Sequence, residues 1–431
     1  MAEKRTGTLM PEGYRPRLVE GRLDRLMGAF GCVEVVGARW CGKTWTALSR
    51  SASVTRLDRR AEREAALVDP ALALVGEAPH LVDEWQEVPE VWDAARGLVD
   101  DTGNERGRLL LTGSSALTAE QRERVRHSGT GRIARLRMRP MSLLETGDST
   151  GASSLSALFA GEPLPPCRRD TVVAEVARWC CRGGWPANLG LSDEVAAETS
   201  VQYVRSVLDK NVADEGRSPG VALALMRALA ANAGRAVTHG TLARDMGASA
   251  VSDDTLAAYL ALLDRLYITE ELPGWEPPLR SKARVRVKPK RHFVDPSLAA
   301  ALLQATPEAL LRDTQTLGDL FEGLVARDLR VYLSTYGGLG DRVSYYRDDK
   351  GLECDVILEH GGAWAGIEVK LSDLKADEGA ASLLALRRKL TRNPAARVPD
   401  PAFLAVVVGA GSLAYRRDDG VYVIPAATLA P

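Results

Sequence analysis

The sequence predicts an α/β protein in three parts, and three observations carry that reading. Residues 37–44 read GARWCGKT between an apolar β-rich run and a helical one. After a joint rich in Ser, Gly and Pro (Gly147–Ser156 and Gly161–Pro166), helical periodicity dominates to about Leu266. From Thr316 the pattern turns to helix, three strands, helix, strand. The expected parts are residues 1–150, 151–300 and 301–431, each long enough to bury a core.

Composition narrows the classes. The formal charge of −1 over 431 residues announces no global basic field, so any nucleic-acid surface must be local. The six cysteines show no C-x-x-C spacing, and two are adjacent, which suits neither a disulfide framework nor a zinc site. The polar start lacks the apolar core of a signal peptide, and no apolar run nears the roughly 20 residues that span a bilayer. A reduced, cytoplasmic protein with no membrane partner is expected.

Gly37, four variable residues, then Gly42, Lys43 and Thr44 have the spacing of a phosphate-binding loop. The glycines let backbone N–H groups turn inward around phosphates, Lys43 reaches the β/γ oxygens, and the Thr44 hydroxyl can ligate Mg²⁺. The apolar Cys32–Val36 supplies the strand before it, and Lys43–Ser51 the helix whose N-terminus favours an anion. Bound ATP with Mg²⁺ is the expectation. Val54–Asp58 reads as a second strand and Arg59–Ala66 as a helix. A short apolar strand then ends in Asp83 and Glu84. Asp83 can hold the Mg²⁺ shell and Glu84 can polarise the attacking water, whereas the plain alternative is a solvated strand end. The catalytic set is thus Glu84, Lys43 and Asp83. A third strand, RLLLTGSS, exits through Thr112 and Ser114.

The order GARWCGKT, HLVDEWQEVP, LLLTGSS, SGTGRI, RPMSLLE and GGWP resembles a widespread prokaryotic family of AAA-type P-loop ATPases fused to a C-terminal domain of unknown function. The likeness extends over nearly the whole chain. It implies a γ-phosphate sensor at Thr112 or Ser114, with a simple strand exit as the alternative. Arg132, in the GR pair, is a candidate arginine finger or sensor. It lies among Arg135, Arg137 and Arg139, so a solvated basic strand is equally open. SGTGRI and GGWP enter only as landmarks.

In the middle segment, THGTLARDMG, SDDTLAAYLALLDRLYI and TEELPGW suggest two short helices, a longer one and a β wing. That is a winged-helix-like pattern, and the resemblance agrees. Asp253, Asp254 and Asp264 against Arg265 make this helix a poor groove reader, so a packing role is preferred. A basic stripe follows: Arg280, Lys282, Arg284, Arg286, Lys288, Lys290 and Arg291. Its period of two puts most of these on one strand face, where they can neutralise nucleic-acid phosphates or stand as a solvated hairpin.

In the C-terminal part, an amphipathic helix carries Glu322, and alternation sets Asp355, Glu368 and Lys370 on faces opposite Cys354, Val356, Ile367 and Val369. A helical Glu, then D…E-x-K on adjacent strands, is the constellation of restriction-endonuclease-like folds. Asp355 and Glu368 are expected to hold a divalent metal beside Lys370, for cleavage or for binding alone. The fold class expected is therefore an AAA-type P-loop NTPase domain, a helical winged-helix-like middle and a restriction-endonuclease-like α/β domain. Three functions are in play: an ATPase whose nucleotide state controls the later domains, an ATP-gated DNA-processing nuclease, and a non-catalytic nucleotide-switched scaffold. An oligomer is left open.

Overall fold

A computed structural model describes residues 9–113, 117–165, 167–275, 288–338, 340–392 and 398–431. The chain divides into two compact units. The first holds residues up to Pro140 with Trp185–Ala187 and Leu263–Ile268; the second holds the rest. Residues 151–300 and 301–431 thus fall largely in one unit.

In the first unit the helices are α1 (Glu20–Met27), α2 (Lys43–Leu48), α3 (Arg60–Val68), α4 (Val91–Asp101) and α5 (Ala119–Arg124). The strands are β1 (Cys32–Gly37), β2 (Ser53–Arg56), β3 (His80–Asp83), β4 (Leu109–Gly113) and β5 (Ile133–Met138). All pair in parallel, in the order β2-β3-β4-β1-β5. β1, β3 and β4 are buried along their whole length, as continuous apolar runs in a parallel sheet should be. Two polar residues inside these runs are satisfied. Glu34 accepts from Arg135 Nε at 2.7 Å on the neighbouring β5 and from Trp85 Nε1 at 3.2 Å. His80 meets Ser53 Oγ at 2.6 Å and Thr55 Oγ1 at 3.1 Å on β2. Trp85, Trp92, Val99, Leu109 and Leu111 belong to one apolar core.

The second unit opens with α6 (Leu143–Thr146), α7 (Leu155–Phe159), α8 (Val173–Arg182), α9 (Asp193–Ser206), α10 (Pro219–Ala231) and α11 (His239–Asp245). α12 (Asp253–Arg265) follows, its last residues counted with the first unit. Then come α13 (Pro296–Leu302), α14 (Pro307–Arg312), the 23-residue α15 (Thr314–Tyr336) and α16 (Ala376–Thr391). Of the short strands, β6 (Ser153–Ser154) pairs with the late β15 (Leu429–Ala430), and β8 (Thr269–Leu272) pairs antiparallel with β9 (Lys290–Phe293). The main sheet contains β10 (Arg342–Arg347), β11 (Glu353–His360), β12 (Ala363–Ser372), β13 (Phe403–Arg416) and β14 (Tyr422–Pro425) in that order, with β7 (Cys167–Thr171) against β13. β10, β11 and β12 are antiparallel; β12 to β14 run parallel. The expected helix, three strands, helix, strand is the observed order. Trp275, Trp364, Leu383, Leu386, Val406 and Val408 lie in one core with α16.

A buried charge network ties distant segments of this unit. Arg327 on α15 donates to Asp295 Oδ2 at 2.7 Å and, through Nε and Nη2, to Asp328 Oδ1 at 2.9 and 2.7 Å. Asp295 also accepts from Gly184 N and from Ser297, capping α13. Asp328 accepts from Leu143 N, at the start of α6. The Asp328 carboxyl is pushed up to about 6 by burial, against the pull of Arg327. The glycines of GGWP sit in this network: a Cβ on Gly184 would stand 2.1 Å from Met141 O, and one on Gly183 2.3 Å from Asp295 Oδ1. Arg327→Met strands two carboxylates in the interior, and breaking such a pair costs about 3–5 kcal/mol. A fall of that size in the urea unfolding free energy of the second unit is expected, with no loss of helix order in the first.

Candidate functional site

The first site is built at the carboxyl edge of the parallel sheet, where ligands of open α/β sheets bind. β1 ends at Gly37, and the chain turns through residues 38–42 into α2. Gly37 has φ 147°, and a Cβ there would meet Met138 O of paired β5 at 2.0 Å. Gly42 has φ 100° and opens α2 from the left-handed region. Trp40 adopts φ 62° without being glycine, a strain of order 1–3 kcal/mol that functional loops retain. The loop is held from behind by Arg17, whose guanidinium donates to Cys41 O at 2.6 Å and Arg139 O at 2.8 Å. Tyr14 reaches Thr46 Oγ1 on α2 at 3.1 Å. Neither residue was identified from the sequence.

Lys43 is buried, and its Nζ donates to the carbonyls of Gly37 and Ala38 at 2.9 and 2.8 Å. Thr44 Oγ1 donates to Asp83 Oδ1 at 2.9 Å, and Thr112 Oγ1 donates to the same atom at 2.5 Å. The register of β3 on β4 sets Asp83 directly opposite Thr112. Burial and the neighbouring Glu84 raise the Asp83 carboxyl, while the two hydroxyls pull it down. Glu84 follows at φ 58°, half-buried, and accepts from the Gln86 amide. A hydroxyl and a carboxylate meeting beside the loop are the hard oxygen donors Mg²⁺ prefers, so Thr44 and Asp83 fit that ion.

Of the other expected members, Ser114 lies outside the described residues. Arg132 precedes β5 at the amino end of the sheet, where Ile133 pairs with Cys32, while the loop leaves β1 at its other end. Its guanidinium binds Asp100 at 2.8 Å. Arg132 is therefore not a nucleotide ligand of its own loop.

In the second unit, β11 and β12 pair with Val356 opposite Ile367, which sets Asp355 beside Glu368. Asp355 Oδ2 accepts from Val369 N at 2.9 Å. Glu368 accepts from Lys370 Nζ at 2.7 Å and from Ser382 Oγ on α16 at 3.3 Å. Burial and the Asp355 charge push the Glu368 carboxyl up to about 7, against Lys370. Burial and Asp355 likewise push Glu322 up to about 8, against Lys290. So the four expected residues share one electrostatic neighbourhood. Their expected metal is another matter. No group of three or more His, Cys, Asp or Glu among the described residues could hold a metal ion. Lys290 reaches the same pocket: its Nζ binds Glu322 Oε1 at 2.9 Å and Glu353 Oε1 at 2.7 Å, and it lies 5.1 Å from the centre of the Tyr345 ring.

The basic stripe is corrected in the same place. Lys290 is 2% exposed, and Arg291 pairs with Glu271. Lys288 is exposed, and Arg280, Lys282, Arg284 and Arg286 lie outside the described residues. Period-two alternation could not reveal that one lysine of the stripe turns inward to a carboxylate on a helix 32 residues later.

The loop, sheet order and Thr44–Asp83 pair define a P-loop domain. Residues 30–147 match the family model described as an AAA domain, so the first unit carries an AAA-type domain. Residues 173–309 and 317–429 match two further models, both domains of unknown function, DUF8612 and DUF4143. Similar solved structures include the Walker-type ATPase of Pyrococcus abyssi, at 10% identity and TM-score 0.45, with 69% of this chain and 98% of that one covered. Orc1 of Aeropyrum pernix in complex with DNA shows 13% identity and TM-score 0.25 over 68% and 94%. A RuvB variant of Thermotoga maritima shows 16% and 0.27 over 62% and 93%. No curated protein matches the chain. No helix among the described residues is long and apolar enough to cross a membrane.

The raised carboxyls carry a pH prediction. A carboxyl whose folded pKa lies above its unfolded value stabilises most below the unfolded one, about 4.5, and loses that contribution as pH rises through the folded one. The share of stability due to Glu322 and Glu368 should therefore fall between about pH 4.5 and 8. Glu322→Gln should flatten the dependence, read from urea midpoints at pH 5, 6.5 and 8.

Proposed function

We propose that the protein binds ATP with Mg²⁺ and hydrolyses it, and that the nucleotide state acts on the helical and C-terminal domains. The observation that carries this is the Asp83 carboxylate receiving Thr44 and Thr112 together, beside a loop whose lysine is buried against neutral carbonyls. Lys43 exchanges those carbonyls for the β/γ oxygens when phosphates enter. Thr44 and Asp83 would hold the ion, which when bound neutralises charge developing on the phosphate oxygens. Thr112, fixed on Asp83, is the candidate that senses the γ-phosphate. Glu84 orients and deprotonates the water once its carboxylate is freed from Gln86.

For the later domains we read α10, α11 and α12 with the β8–β9 pair as winged-helix-like. We read α15, β10, β11, β12, α16 and β13 as restriction-endonuclease-like. Nucleic acid is the partner proposed for the stripe residues Arg280, Lys282, Arg284, Arg286 and Lys288, of which Lys288 is described and exposed, and an oligomer would offer Arg132 to a neighbour's loop.

Lys43→Ala should abolish ATP binding or weaken it strongly, in a fluorescent-nucleotide titration. Glu84→Gln should bind ATP as the parent does and lose turnover by about 10²-fold or more. Wild-type turnover in Lys43→Ala would end the proposal; binding without turnover in the parent would leave the switched scaffold. If nucleic acid is the partner, affinity should fall steeply with salt and vanish in the triple variant Arg284→Glu, Arg286→Glu, Lys288→Glu.

A further inference from the structure

The carboxylate pocket of the second unit invites comparison with the first site, because both set acidic side chains on paired strands. Only the second is already filled by a cation of the chain itself. Lys290 arrives on β9, outside the sheet that bears Asp355 and Glu368. Its ammonium bridges Glu322 on α15 and Glu353 on β11, at 2.9 and 2.7 Å. Tyr345 on β10 lies 5.1 Å from it, its ring centre facing the charge. The side chain is 2% exposed. Lys370 stands on Glu368 in the same pocket, at 2.7 Å.

We infer that Lys290 is the resident cation of this pocket, standing in the place a divalent metal would take, so that the C-terminal domain works as a metal-free module and not as a metal-dependent hydrolase. The charges support it. Four carboxylates (Glu322, Glu353, Asp355, Glu368) meet two ammonium groups, and two of the four contact Lys290 directly. A divalent ion added to this arrangement would stand against a buried ammonium that cannot turn away into water. Ligation requires free oxygen lone pairs, and an ammonium already bonded to the same carboxylates competes for them. Here Glu322 Oε1 and Glu353 Oε1 are engaged by Lys290, and Asp355 Oδ2 is engaged by Val369 N. The inference goes beyond the ATPase reading and does not rest on it.

Removing the ammonium should open what it closes. Lys290→Met keeps the apolar stem, deletes the charge and leaves Glu322, Glu353 and Asp355 facing each other. In Mn²⁺ titration of the full chain without nucleotide, the parent and Asp355→Asn should give the same isotherm. Binding at Thr44 and Asp83 appears in both and cancels. Lys290→Met should add one Mn²⁺ equivalent, bound at least tenfold tighter than any in the parent, and Lys290→Met with Asp355→Asn should lose it. The inference is overturned if the parent binds an Mn²⁺ that Asp355→Asn removes, or if folded Lys290→Met gains none. Should Lys290→Met fail to fold, the comparison of the parent with Asp355→Asn still decides, because a resident lysine predicts no difference. ATP turnover, read separately, stays at the parent level throughout.

Discussion

A buried cation must be compensated, and what compensates Lys43, Lys290 and Arg327 separates the working site from the scaffold. Lys43, Lys290 and Arg327 are all nearly inaccessible. Removing such charges from water costs several kcal/mol each unless partners replace the lost solvent. Arg327 meets two carboxylates and Lys290 meets two more. Lys43 meets backbone carbonyls, which accept hydrogen bonds but carry no net charge. Its positive charge is therefore still available to an anion. This is the physical difference between a lysine that awaits phosphate and lysines or arginines that complete a core.

The parallel sheet turns that difference into geometry. Because β4 lies between β1 and β3, the residue ending β3 and the loop leaving β1 both open at one edge, with Thr112 between them. Asp83 then needs no long side chain to reach Thr44. Gly37 can be nothing larger, since the carbonyl of Met138 occupies the space of a Cβ. Trp40 and Glu84 both hold left-handed backbone in the same region, and strain of this sort persists where surrounding structure over-determines it. Arg17 supplies part of that determination by fixing the Cys41 and Arg139 carbonyls.

Local signals were legible and remote ones were not. The loop motif, the β1, β3 and β4 runs, and the helix-strand succession after Thr316 each rest on patterns within some ten to twenty residues, where periodicity speaks. Asp83 and Thr44 could be paired because a motif encodes their meeting. Arg17 could not, since its acceptors lie 24 and 122 residues away and nothing in RPR marks it. The GR pair at Arg132 states chemistry but not which end of its strand it occupies, so its distance from its own loop could not be read from the sequence. Lys290 was read as one tooth of a basic comb. Alternation assigns a face to a strand residue, yet only the tertiary fold says whether that face meets water or Glu322.

The same helix carries both the fold's charge network and one wall of the carboxylate pocket, which fixes the pocket more tightly than its own contacts would. Glu322 and Arg327 sit a turn and a half apart on α15. Arg327 and Asp328 tie that helix to α6, to Gly184 and to the cap of α13. Glu322 cannot retreat from Lys290 without moving a helix anchored at three other places. Lys290, in turn, is tied to its strand through β8, where Leu272 opposes it. Neither partner is on a loop. A pocket whose acid and base both stand on anchored elements keeps its ammonium and carboxylate in register.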